Sequence, residues 1–129
     1  MLQFLWICVG GAVGTGSRYL VGLWAAQALG TDFPYGTLIV NVLGSFLISL
    51  VMSLGIDAGA IPLSVRVFLT TGFMGGFTTY SSFNYETIKL FQSGAWAVAS
   101  ANLLVTLLAC VVAGLLGLFV ASLVAGGIG

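Results

Sequence analysis

Four long apolar stretches follow one another along the chain, joined by links too short to form any separate unit. Each is about the 20 residues that a helix needs to cross a bilayer. Only 5% of the 129 residues are charged, against about 25% in a soluble domain. The chain therefore reads as an all-α membrane protein: four transmembrane helices in a single domain over residues 1–129, with no room for a soluble catalytic unit. Met1–Trp6 carries no Lys or Arg. It lacks the basic start of a cleaved leader, so the first stretch is expected to stay as a span.

The spans are expected near 2–29, 37–54, 63–91 and 95–125. The first carries Gly10, Gly11, Gly14 and Gly16; the spacing of Gly10 and Gly14 lets two helices approach closely. It also carries Arg18, a permanent cation well inside an apolar run. Two readings stand for it: a side chain snorkelling to the interface, or a charge facing a polar vestibule that attracts anions. In the second span Thr37, Asn41 and Gly44 fall on one face, with Ser45 beside it. Asn41 is either an interhelical hydrogen-bonding group or a donor lining an anion path. In the fourth span Asn102, Thr106 and Cys110 make a narrow polar stripe. Cys8 and Cys110 have no metal-like spacing and read as reduced packing residues.

The third span is unlike the others. Thr70–Glu86 reads TTGFMGGFTTYSSFNYE. Gly72, Gly75 and Gly76 predict an interruption at 72–76, with helix resuming from Thr78 to Lys89. Non-helical backbone at membrane depth survives only where protein buries it or it lines a polar cavity. Helix ends at such a break expose carbonyls, which bind cations, and amides, which favour anions. Beyond it, Tyr80 and Phe83 share a helix face. Their electropositive ring edges suit an anion, although packing alone is the plainer reading of aromatics. Ser81 and Ser82 supply rotatable donors, and Glu86 lies close by.

Charge adds two expectations. Arg66 and Lys89 fall on opposite sides of the membrane, so the usual basic bias that fixes orientation is absent. This predicts dual topology and an antiparallel homodimer. The glycine face of the first span and the break in the third are candidate dimer contacts, and a pore between subunits would give the polar strips somewhere to face. The chain has no His and no paired carboxylates, so the residues do not point to an enzyme or a transition-metal site. Three cations in all leave no nucleic-acid footprint.

GTLIVNVLGSF at 36–46, GFMGGFTTYSSFNYE at 72–86 and GTGSR ending at Arg18 together resemble the Fluc (CrcB-type) fluoride channels, over the full length. The resemblance implies a passive, fluoride-selective channel of the cell (inner) membrane. It would export toxic fluoride from the cytoplasm as an antiparallel, dual-topology homodimer with two pores. It further implies a structural sodium ion at the dimer centre, held by the backbone carbonyls of Gly75 and Thr78. Tyr80 and Phe83 match the pore aromatics, Asn41 the pore asparagine and Arg18 the vestibule arginine. Ser81, Ser82, Asn102 and Thr106, with Cys110 less firmly, match a polar track with Glu86 at its end. Two positions depart from the pattern. The first pore aromatic is usually Phe where this chain has Tyr80, and an aromatic hydroxyl can occur where it has Asn102. Selectivity for fluoride over chloride is carried by the resemblance alone. The alternative is a small dual-topology, proton-coupled multidrug or cation transporter, for which Glu86 is the sole candidate acid. A third reading, a structural membrane subunit, makes the polar stripes helix glue only.

Overall fold

A computed structural model describes residues 1–128, all helical or in short links, with no strand among the described residues. Helix α1 spans Leu2–Leu29 and α2 spans Tyr35–Met52, the latter running on into a wide-wound turn over Ser53–Asp57. Residues 63–77 form α3 in three consecutive pieces: an α-turn at Leu63–Val67, a π-helical segment at Phe68–Met74 and a last α-turn at Gly75–Phe77. Tyr80–Gln92 is α4 and Trp96–Ile128 is α5. Helices α1, α2 with its extension to Ile56, and α5 are each long and apolar enough to cross a membrane. At about 1.5 Å per residue, α3 and α4 are each close to 20 Å long, too short to cross alone.

The break expected at 72–76 lies further along. Gly72, Gly75 and Gly76 are all wound into α3, and the chain leaves the helix at Thr78 (φ −89°, ψ 159°) and Thr79 (φ −153°, ψ 113°). The glycines serve close packing. A Cβ on Gly76 would run into the backbone carbonyl of Gly11, one on Gly14 into that of Phe73, and one on Gly72 would press on that of Ile7. So the glycine face of α1, a candidate dimer contact from the sequence, is occupied by the chain's own α3. Without a hydrophobic force between helices in lipid, such close approach is what lets dispersion hold them.

The same device joins α2 to α5. Gly117 lies on the Phe46 carbonyl and Gly114 on the Ser49 side chain. The buried apolar residues are mainly small: Ala25, Ala99, Ala113 and Ala121, with Val40, Met74 and Phe77. The large side chains of α1 and α5, such as Leu20, Trp24, Leu104, Leu115 and Phe119, point outward, as a lipid-facing surface requires. Links are tight: Gly30 and Gly94 turn the chain with φ of 86° and 85°, a region that favours glycine.

Gly14→Ala is expected to lower the thermal stability of the purified protein by about 1–3 kcal/mol, because the new methyl meets fixed backbone rather than a movable side chain. Gly16→Ala meets open space and should leave stability unchanged or raise it slightly. Tryptophan-fluorescence melting in detergent measures both, and equal melting of the two variants would refute the packing argument.

Candidate functional site

The site grows out of the two-residue break. Leaving the helix strands the last carbonyls of α3 and the first amides of α4, and four side chains meet them. Thr78 donates its hydroxyl to the Met74 carbonyl at 2.8 Å, alongside its own amide at 3.0 Å. Arg18 reaches across from α1 and donates Nε to the Gly76 carbonyl at 3.0 Å. A cation at the C-terminal end of a helix is also favoured by the helix dipole. Asn41, from α2, donates Nδ2 to the Thr79 carbonyl at 2.9 Å and accepts the Thr79 amide on Oδ1 at 2.8 Å. Thr79 then acts as N-cap of α4, its hydroxyl accepting the Ser82 amide at 3.1 Å. Among the described hydrogen bonds, none ends on the carbonyl of Gly75 or of Thr78. Gly75 is exposed and Thr78 half-buried.

The first turn of α4 carries the aromatic pair. Tyr80 and Phe83 meet edge to face, their ring centroids 5.8 Å apart and their planes at 64°. Tyr80 is 77% exposed, while Phe83 is half-buried. Both line a groove of about 420 Å³ shared with Asn41, Ser45, Gly75, Thr78, Thr106 and Cys110. Here the structure brings together Asn41, Tyr80, Phe83 and Thr106 with both carbonyl residues, Gly75 and Thr78. This volume is many times that of a small dehydrated ion.

The remaining predicted residues gather elsewhere. Arg18, Ser82 and Glu86 line a second cavity of about 330 Å³ with Thr15, Thr37 and Thr79. Thr37 donates its hydroxyl to Glu86 Oε1 at 2.8 Å, while Oε2 is enclosed with no donor among the described residues. Glu86 also borders a larger mouth of about 770 Å³ with Asp32 and Lys89. The Lys89 ammonium lies 5.8 Å from the centre of the Tyr85 ring. Ser81 is exposed, its hydroxyl 3.3 Å from that of Thr79. Thr79 borders both the groove and the second cavity, so the break is the wall between them.

Asn102 is only 1% exposed. It donates Nδ2 to Thr87 Oγ1 at 2.8 Å and accepts from Thr106 on Oδ1 at 3.2 Å; Thr87 in turn donates its hydroxyl to the Phe83 carbonyl at 2.7 Å. The residue that the sequence reading passed over is Thr87. Its signal was available: it stands four residues after Phe83, on the same face of a helix otherwise read for its serines. This chain ties α5 to α4 directly beneath the aromatic ring.

Taken together, these features define a class: a multi-pass membrane protein with a broken helix that walls a largely apolar groove with a few polar groups from a second cavity holding Arg18 and Glu86. The comparisons with known proteins narrow it. Residues 5–118 match the family described as CrcB-like protein, Camphor Resistance (CrcB), and the chain belongs to that family. A protein of Anaeromyxobacter sp. (strain K) named fluoride-specific ion channel FluC is 53% identical over 113 residues, 88% of this chain and 90% of its own length. One of the same name from Sorangium cellulosum (strain So ce56) is 48% identical over 127 residues, 98% of this chain and all of its own. A third, from Syntrophotalea carbinolica, is 44% identical over 120 residues, 93% and 98% of the two chains. The protein is thus a multi-pass protein of the cell membrane.

Thr87→Val removes the only acceptor described for Asn102 Nδ2. It is expected to destabilise the protein by about 1–2 kcal/mol, between the terms found for polar helix contacts in membranes and for an unsatisfied buried donor. Adding Asn102→Leu should recover part of that loss. Denaturant titration of the variants in detergent tests this, and additive losses would count against the bond.

Proposed function

We propose that the protein is a passive fluoride channel of the cell membrane, and that its ion path runs along the groove beside the break. One observation carries this: an aromatic pair with set edges, Tyr80 and Phe83, lines a groove beside hydroxyl and amide groups, in a chain about half identical to proteins named fluoride-specific ion channels. A small anion entering such a groove loses water. Ring edges carry partial positive charge and replace some of it without the fixed full charge that would trap the ion. The second N–H of Asn41 and the hydroxyl of Ser45 are the further donors at hand; the Thr106 hydroxyl already donates to Asn102. In the second cavity, Arg18 supplies the positive potential that draws an anion inward. Each end has its own polar residues, so ions can pass between them along the wall that Thr79 shares.

The full architecture follows from the same reading. Helices α3 and α4, on either side of the break, together make one crossing, so the chain spans four times. Arg66 and Lys89 lie at opposite ends of that crossing and leave orientation undecided, which favours insertion both ways and an antiparallel homodimer. An open groove needs a second wall, and the exposed Tyr80 ring needs cover; a second copy supplies both, giving two pores. The carbonyls of Gly75, an exposed residue, and Thr78, a half-buried one, have no described donors and fit a sodium ion shared with the second copy's carbonyls. Oxygen-only ligation suits a hard cation. Bound there, it would neutralise the ends of both α3 helices, and the groups of this chain would hold it by main-chain oxygens alone.

The cation-transporter alternative is not favoured. It needs an acid free to exchange protons with a cationic substrate. Glu86 is held by Thr37 and borders a cavity that also carries the Arg18 cation.

Purified protein in liposomes is expected to release fluoride down its gradient, without a proton gradient, and to retain chloride. A fluoride electrode reads this, and a strict need for a proton gradient would sink the channel mechanism. Phe83→Ile should slow release at least tenfold, about the effect of losing 1.4 kcal/mol at the barrier, while the protein still assembles; unchanged release would reduce the pair to packing. Replacing sodium by a bulky organic cation should lower the melting temperature of the protein, a readout independent of flux.

A further inference from the structure

We infer that Asn41 is the positioning residue of the break: its amide fixes the Thr79 backbone, and through it the direction of the aromatic pair and of the free Thr78 carbonyl. The functional consequence rests on the channel reading; the clamp itself rests on geometry alone.

A carboxamide has the same donor and acceptor as a peptide group. Asn41 uses one of each on a single residue, giving to the Thr79 carbonyl at 2.9 Å and taking the Thr79 amide at 2.8 Å. This is one rung of a ladder, formed by a side chain where no strand exists. Both main-chain groups of Thr79 are thereby spent, and its extended conformation is held from α2. Thr79 in turn caps α4 through Ser82, which sets the first turn, where Tyr80 and Phe83 stand. One turn along α2, Gly44 seats the other half of the break: a Cβ there would run into the Thr78 side chain. So α2 grips Thr78 by shape and Thr79 by hydrogen bonds. With Thr79 held inward, the Thr78 carbonyl is left without a described partner. After this, Asn41 has one N–H left for an ion. Its main work is geometric, and it links the cation carbonyls to the anion groove, because both depend on the same two residues.

The test uses full-length protein in liposomes and compares Asn41→Ala, Asn41→Asp and Phe83→Ile. Asp keeps the acceptor for the Thr79 amide but loses the donor. Hydrogen–deuterium exchange of peptides covering 78–83 should speed about tenfold or more in Asn41→Ala, by a smaller factor in Asn41→Asp, and not at all in Phe83→Ile, with the rest of the chain unaffected. The sodium concentration giving half-maximal thermal stabilisation should rise by a similar factor in Asn41→Ala and stay fixed in Phe83→Ile. If Asn41→Ala loses flux while exchange over 78–83 and the sodium requirement both stay at wild-type values, Asn41 is an ion ligand only and the inference is overturned. Should Asn41→Ala fail to fold, Asn41→Asp decides by the same two readouts. A wild-type protein that carries no fluoride or ignores sodium removes the channel or cation reading, and the exchange result then judges the clamp by itself.

Discussion

A chain that leaves the helix partway across a bilayer must find a partner for each peptide group it exposes there, because lipid offers none. Every other feature of the site follows from how this chain meets that demand at Thr78 and Thr79. Backbone carbonyls at the end of α3 receive Thr78 and Arg18; the next residue receives Asn41; the first amides of α4 receive the Thr79 hydroxyl. Thr78 and Thr79 come from the break itself, while Arg18 comes from α1 and Asn41 from α2. The break therefore depends on α1 and α2 being in register with it, and a local irregularity becomes a property of the whole bundle.

Register in turn depends on the glycines. Where a Cβ would strike backbone, as at Gly14, Gly76 and Gly117, the two helices come closest, and the position of these glycines along each helix sets how the pair is aligned. That places Arg18, one turn beyond Gly14 on α1, level with the Gly76 carbonyl. A cation in the middle of an apolar helix costs several kcal/mol in lipid. Here its hydrogen bond and the partial negative charge at the end of α3 offset part of that cost. Its chemistry and its place are thus parts of one arrangement: the same guanidinium that bonds the end of α3 lines the second cavity.

Much of this was legible from residue types. A chain with 5% charge and long apolar runs has to be helical in a membrane, and a segment of glycines and hydroxyls within such a run has to be irregular. The face shared by Thr37, Asn41 and Gly44 does meet the broken helix: the three engage Glu86, Thr79 and Thr78 in turn. The position of the break was misread because glycine has two uses. It loosens backbone, and it also permits contact; the second is decided by the partner helix, which spacing along a single segment does not reveal. Thr78 and Thr79, β-branched and at ease in extended backbone, are the better marker. The split of the polar residues into two cavities was equally hidden, since Ser82 and Phe83 are neighbours in sequence yet line different cavities.

That split bears on Tyr80. Its ring meets Phe83 edge to face, a contact that a phenylalanine ring could also make. What differs is the phenolic hydroxyl, which adds a donor and an acceptor to a side chain that is 77% exposed. Tyr80 is the first residue after the Thr79 cap, whose hydroxyl accepts the Ser82 amide and whose main chain bonds to Asn41. None of those contacts uses the side chain at position 80, so a different ring there would leave them in place.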